Sequence, residues 1–95
     1  MLQTNKAIKE LRKEFIGIGE VKGYQFAQIY KTSRAFIYEV SYGDSKHYEV
    51  FKRCLNRRYG CVSYPTSKGF GIWAWTYNKL EIAIEKFNQL NTSEL

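Results

Sequence analysis

Between Val50 and Leu80, VFKRCLNRRYGCVSYPTSKGFGIWAWTYNKL, the chain holds six Lys or Arg and not one Asp or Glu. The other residues carry nine basic and nine acidic side chains, so the formal net charge of +6 resides entirely in this stretch. A merely basic protein spreads its cations over the surface, whereas one that neutralises a polyanion concentrates them where the phosphates will lie. Lys52, Arg53, Arg57, Arg58 and Lys68 are therefore the candidate phosphate contacts, each adding to a salt-dependent affinity through counterion release. Aromatic residues are interleaved with them, and Tyr59, Trp73 and Trp75 could form a platform on which unpaired bases stack. The plainer alternatives are a solvated basic face and a pair of core tryptophans, since burial is the commoner fate of large aromatics. On one alternating strand Trp73 and Trp75 share a face, so both would be core or both exposed.

Other chemistry finds less support. An enzyme needs a constellation of nucleophile, base and stabilising groups, and the chain offers one His, scattered carboxylates and no serine in a nucleophile elbow. The expectation is a non-catalytic protein. His47, Cys54 and Cys61 recur at intervals of seven, but a structural zinc site needs four ligands, usually with closely spaced cysteine pairs. No metal or cofactor is expected, and the two cysteines read as free thiols. A Cys54–Cys61 bridge would require the intervening loop to fold back, and a reducing compartment argues against it. The run from Gly17 to Gly23 has the glycines of a phosphate loop, but such loops follow a strand and open a helix, the reverse of the order here.

Ninety-five residues make one domain, 1–95, with room for a single small core. At 44% apolar and 17% aromatic the composition excludes global disorder. No run of eighteen apolar residues is present to span a membrane, and the N-terminal residues lack the apolar run of a signal peptide. A soluble cytoplasmic protein is the expectation.

The elements that must position these residues follow from periodicity. From Thr4 to Phe15 the apolar residues Ala7, Ile8, Leu11 and Phe15 recur at three and four positions, which predicts an amphipathic helix. Val21–Lys31, Arg34–Tyr42 and His47–Arg53 read as three strands of an antiparallel meander, turning at Lys31–Arg34 and Gly43–Ser45. In the first, Tyr24, Phe26 and Tyr30 share a parity; in the second, Phe36, Tyr38, Val40 and Tyr42 oppose Ala35, Ile37, Glu39 and Ser41. Cys54–Gly69 reads as a loop with some local order, and Phe70–Tyr77 as a fourth strand. Asn78 and Glu81 have capping-box spacing before a second helix, whose buried stripe is Leu80, Ala83, Ile84, Phe87 and Leu90.

The order helix, three antiparallel strands, helix resembles the double-stranded-RNA-binding domain, and a curved sheet followed by a helix is similar to the positive-cofactor-four-like single-stranded-DNA binders. Where the RNA-binding domain carries a lysine-rich run opening its last helix, this chain reads Asn78-Lys79-Leu80-Glu81-Ile82 and lacks most of those lysines. Tyr48-Glu49-Val50-Phe51-Lys52-Arg53, Ser63-Tyr64-Pro65-Thr66-Ser67 and Phe70-Gly71-Ile72-Trp73-Ala74-Trp75 together resemble the pattern of small bacteriophage and mobile-element proteins. That resemblance covers roughly the C-terminal half and implies an accessory role, in the host cytoplasm if the protein is phage-encoded.

These readings combine into an α+β fold of order α-β-β-β-β-α, a four-stranded antiparallel sheet flanked by an N-terminal and a C-terminal helix, both packed on the sheet. The expected function is a small nucleic-acid-binding accessory protein, for DNA or RNA, with phosphate contacts from the basic loop between the third and fourth strands. The alternative is a phage-encoded interaction module that docks an acidic host-protein surface, because Arg, Tyr and Trp are also favoured interface anchors. Dimerisation through an edge strand or the aromatic strip is compatible with either.

Overall fold

Ala35–Tyr42 forms the central strand, and it is central because both of its faces are apolar. Phe36, Tyr38 and Val40 enter one core cluster while Ala35 and Ile37 enter another. A strand that buries both faces needs a paired neighbour on each side and a covering layer above and below. The computed structural model, which describes residues 8–92, supplies all four. In chain order the strands are β1 Glu14–Ile16, β2 Gln25–Lys31, β3 Ala35–Tyr42, β4 Ser45–Lys52, β5 Cys54–Asn56, β6 Cys61–Ser63 and β7 Ala74–Tyr77, followed by helix α1, Leu80–Thr92. Five of them make an antiparallel sheet in the order β1-β2-β3-β4-β7, and β5-β6 make a separate two-stranded ribbon.

The fold is α+β, with the meander β2-β3-β4 as the periodicity predicts, but with one helix among the described residues where two are expected. Of the predicted N-terminal helix, 4–7 lie outside the described residues and 8–15 are not helical, running from an isolated bridge at Lys9 through a bend at Lys13 into β1. Leu11 and Phe15 are four apart, a spacing that puts them on one side of a helix and equally on one side of an extended chain. Tertiary partners decide between the two. Lys9 N donates to Gly60 O at 2.9 Å, Val62 N to Lys9 O at 2.9 Å, and Gln28 N to Lys13 O at 2.7 Å. A helix of this length is marginal alone, so such bonds together with burial of Phe15 outweigh it. Phe15 lies 4.6 Å from Phe26, 5.8 Å from Tyr38 and 5.6 Å from Tyr64, between ring centroids.

The two faces of the sheet are covered differently. Helix α1 lays Ala83 and Phe87, with Ile84 and Leu90, over Ala35, Ile37 and Val50. Lys79 O accepts the first helical bond from Ala83 N at 3.1 Å, so the cap falls one residue after Asn78. The opposite face, which carries Phe15 of β1 beside Phe26, Phe36, Tyr38, Val40 and Phe51, is covered by Leu11, Val62, Tyr64, Phe70 and Trp73. The expected pair of helices packed on the sheet is thus one helix on one side and a layer of aromatic side chains from irregular chain and the ribbon on the other.

Strand β2 contains an irregularity that alternation conceals. Gln28 pairs with Tyr38 but Tyr30 with Ile37, leaving Ile29 as an extra residue. Such a bulge reverses the faces beyond it. Tyr30 consequently leaves the face of Phe26 and meets Phe87 of α1, centroid to centroid at 6.0 Å.

The fourth predicted strand is also shorter than its pattern. Gly71–Trp73 is turn, and pairing with β4 begins at Ala74 opposite Phe51. Trp73 packs edge-on against Phe51 at 6.3 Å, in the aromatic layer. Trp75 pairs with Val50, whose cluster belongs to α1. The two tryptophans therefore lie on opposite faces, against the expectation that they share one. Gly69 is required beside Trp73, since a methyl group there would stand 2.8 Å from the indole. Gly69→Ala is expected to destabilise the protein by about 1–3 kcal/mol through overpacking, read as a lowered thermal midpoint. In a Trp73→Phe background that cost should shrink, because the clashing ring atoms are gone.

Candidate nucleic-acid interface

The basic stretch divides when folded. Arg57, Arg58 and Tyr59 sit in the turn that joins β5 to β6, where all three are exposed. Four residues close this turn, Arg57–Gly60, and Tyr59 N donates to Asn56 Oδ1 at 3.2 Å. Gly60 completes it at φ 63°, a left-handed value that a side chain would resist. Arg58 lies over the Tyr59 ring, its guanidinium carbon 5.6 Å from the centroid, and the ring is 71% exposed. Among the described residues no carboxylate pairs with Arg57 or Arg58. The ribbon is anchored below its tip by Val62, which is buried in the aromatic core cluster. Lys9, exposed, runs along the outer edge of β6 and bridges Cys61.

The remaining predicted contacts are placed elsewhere. Arg53, at the base of the ribbon, donates to Glu10 Oε2 at 2.5 Å, and Lys31 Nζ stands 3.5 Å from Glu10 Oε1. The hydrogen bond from Arg53, with the charges of Arg53 and Lys31, holds the Glu10 carboxyl below its usual range. Arg53 is thus committed to an intramolecular partner. Lys52 lies opposite Ala35, on the helix-bearing face of β4, away from the layer that carries the ribbon. Lys68 is exposed in the 3₁₀ turn Ser67–Gly69. Trp73 is half-buried against Phe51, and Trp75 is covered by Lys86, whose Nζ is 4.0 Å from the ring centroid. Of the three rings proposed as a platform, Tyr59 alone is open to solvent.

Sequence reasoning missed Lys9 and Glu10, which no local signal connects to positions some fifty and forty residues away. It also missed a polar network that a period-two reading could have found, since His47 and Glu49 share one face of β4. Glu49 takes Tyr64 Oη on one oxygen at 2.5 Å and His47 Nε2 on the other at 2.9 Å. Burial, reinforced by the Glu49 charge, pushes the Tyr64 phenol far above its ordinary range. Tyr64 is therefore a donor that straps the covering layer to the sheet through Glu49. Tyr38 does similar work, its hydroxyl donating to Arg12 O at 2.6 Å.

The cysteines do not form a bridge. Cys54 faces Ser63 and Cys61 faces Asn56 across the ribbon, two positions out of register, and both are free. Burial raises the Cys54 thiol pKa, which lowers its thiolate fraction. No three His, Cys, Asp or Glu side chains among the described residues gather as a metal-holding group. Among those residues no helix is long and apolar enough to cross a membrane.

Comparison with protein-family profiles finds no matching family, and comparisons with curated proteins and with solved structures find no match.

Proposed function

We propose that the protein is a non-catalytic nucleic-acid-binding protein whose phosphate contacts come from the tip of the β5-β6 ribbon. The observation that carries this reading is the pair Arg57 and Arg58, exposed, without a carboxylate partner among the described residues, and set beside the open ring of Tyr59 on a turn closed by its own hydrogen bond. Cations held in that way have no internal charge to satisfy, and a phosphate backbone is the common ligand that would satisfy several at once. Lys9, bonded through its backbone to Gly60 at the tip, adds a neighbouring cation; Lys68 is exposed on a separate turn, Arg53 is held in reserve by Glu10, and Lys52 lies on the other face. Oligonucleotide affinity is expected to fall steeply from low to moderate salt, as measured by fluorescence anisotropy across a salt series. Salt-independent binding, or none, would remove the proposal.

Glu10 offers a test in the opposite direction. Glu10→Gln releases Arg53 and Lys31, so affinity at low salt should rise and the salt slope steepen by up to about one phosphate equivalent. Little stability should be lost, because the Glu10 side chain is 38% exposed and such pairs contribute little. What the pair does contribute is present above the carboxyl's unfolded-state pKa and disappears as pH falls through the lowered folded value.

A second reading has its own support. A groove of about 400 Å³ between the N-terminal segment and the aromatic layer is lined by Phe15, Ile16, Ile18, Val21 and Phe26, with Arg12 among them. Ile16 and Ile18 are 67% and 83% exposed beside this groove, apolar side chains that a partner could cover. An interaction module would keep its protein partner in a pull-down after nuclease treatment and would ignore free oligonucleotides.

A further inference from the structure

We infer that the β5-β6 ribbon reads duplex DNA by entering the major groove, with the tip arginines at base edges as well as phosphates. This rests on the nucleic-acid reading above and specifies the form of nucleic acid. Three observations carry it. The ribbon is a two-stranded unit outside the main sheet, and the B-form major groove is wide enough for a two-stranded β-ribbon. From Cys54 to Ser63 the ribbon carries no Asp or Glu, so it sets no carboxylate of its own against the phosphates on either side of a groove. Two arginines occupy the tip, and Arg bidentate to the guanine edge is the commonest specific contact in that groove.

The alternatives fit less well on the same grounds. Single-strand binders need several open rings in succession, whereas Trp73 is packed on Phe51 and Trp75 lies under Lys86. Duplex RNA has a deep, narrow major groove that side chains do not read. Ribbon entry also gives Lys9 a place, since an exposed cation along the β6 edge would run beside one phosphate strand.

The test uses the full chain with a DNA duplex of two helical turns, its separate single strands, and the RNA duplex of the same sequence. Guanine N7 protection from methylation on the DNA duplex is the groove-specific readout. The expected result is duplex DNA bound about tenfold or more tighter than either other form, with N7 protected. The charge-preserving double variant Arg57→Lys, Arg58→Lys should lose N7 protection and bind several-fold more weakly, since Lys cannot make the bidentate contact. Because both residues are exposed, the fold is expected to survive, and circular dichroism of the variant checks this. Equal or tighter single-strand binding, duplex binding without N7 protection, or a Lys variant indistinguishable from the parent would each overturn the inference while leaving the nucleic-acid reading intact. Failure to bind any of the three would overturn both.

Discussion

Phe51→Ala is expected to cost about 3–5 kcal/mol, the range for truncating a fully buried Phe, and to lower the thermal midpoint by about 15 °C or more in a domain of this size. Phe51 is 0% exposed and stands where β4 meets the covering layer. Its ring is 5.3 Å from Phe36, 5.7 Å from Tyr38, 4.8 Å from Tyr64 and 6.3 Å from Trp73. Removing it opens a cavity lined by large planar side chains. Several of these are tied down: Tyr38 by Arg12 O and Gln28, and Tyr64 by Glu49. A cavity whose walls are fixed collapses poorly, which places the cost toward the upper end of the range. Denaturant unfolding of the variant checks this, and a loss below about 1.5 kcal/mol would show that the layer can repack.

The second large effect is functional. Arg57→Ala combined with Arg58→Ala should leave the fold intact, because both side chains are exposed and no described carboxylate pairs with either. If each neutralises one backbone phosphate, the salt slope should flatten by about 1.8 for duplex DNA and affinity should fall about 30-fold near physiological salt. Anisotropy titrations at several salt concentrations, on parent and variant, measure both quantities together. A weakened affinity with an unchanged slope would mean that the arginines act through something other than charge. An unchanged affinity would move the interface off the ribbon altogether. Truncating Tyr59 alongside them would further separate charge from ring contact, since Arg58 leans on that ring.

These two experiments probe different layers of one design. The aromatic layer fixes Val62 and with it the base of the ribbon, while the tip projects its cations from a turn closed by Asn56. A loss of packing at Phe51 should therefore weaken binding only through loss of fold, and the tip variant should do the reverse. Comparing the two in one binding assay distinguishes scaffold from contact surface.

Much of the sheet was legible along the chain. The meander β2-β3-β4, the alternation of Phe36, Tyr38 and Val40 against Ala35 and Ile37 along β3, and the Ala83, Ile84, Phe87 and Leu90 positions of the α1 stripe follow from periods of 2 and 3.6, because burial acts on neighbouring residues of one element. The local excess of positive charge was likewise plain, since counting residues needs no coordinates. What escaped was decided by partners distant in the chain. Leu11 and Phe15 satisfy both a helical and an extended spacing, and the bonds from Lys9 to Gly60 and Val62 chose the latter. A bulge at Ile29 turned Tyr30 toward the helix, and the turn at Gly71–Trp73 parted two tryptophans that strict alternation joins. The fate of the cations was settled in the same way: Glu10 takes Arg53, the register opposite Ala35 sends Lys52 to the other face, and the ribbon leaves Arg57 and Arg58 exposed. Composition fixes how much charge a chain carries, but which charges remain available depends on the neighbours that folding brings to them, and those are set by long-range pairing that no local pattern encodes.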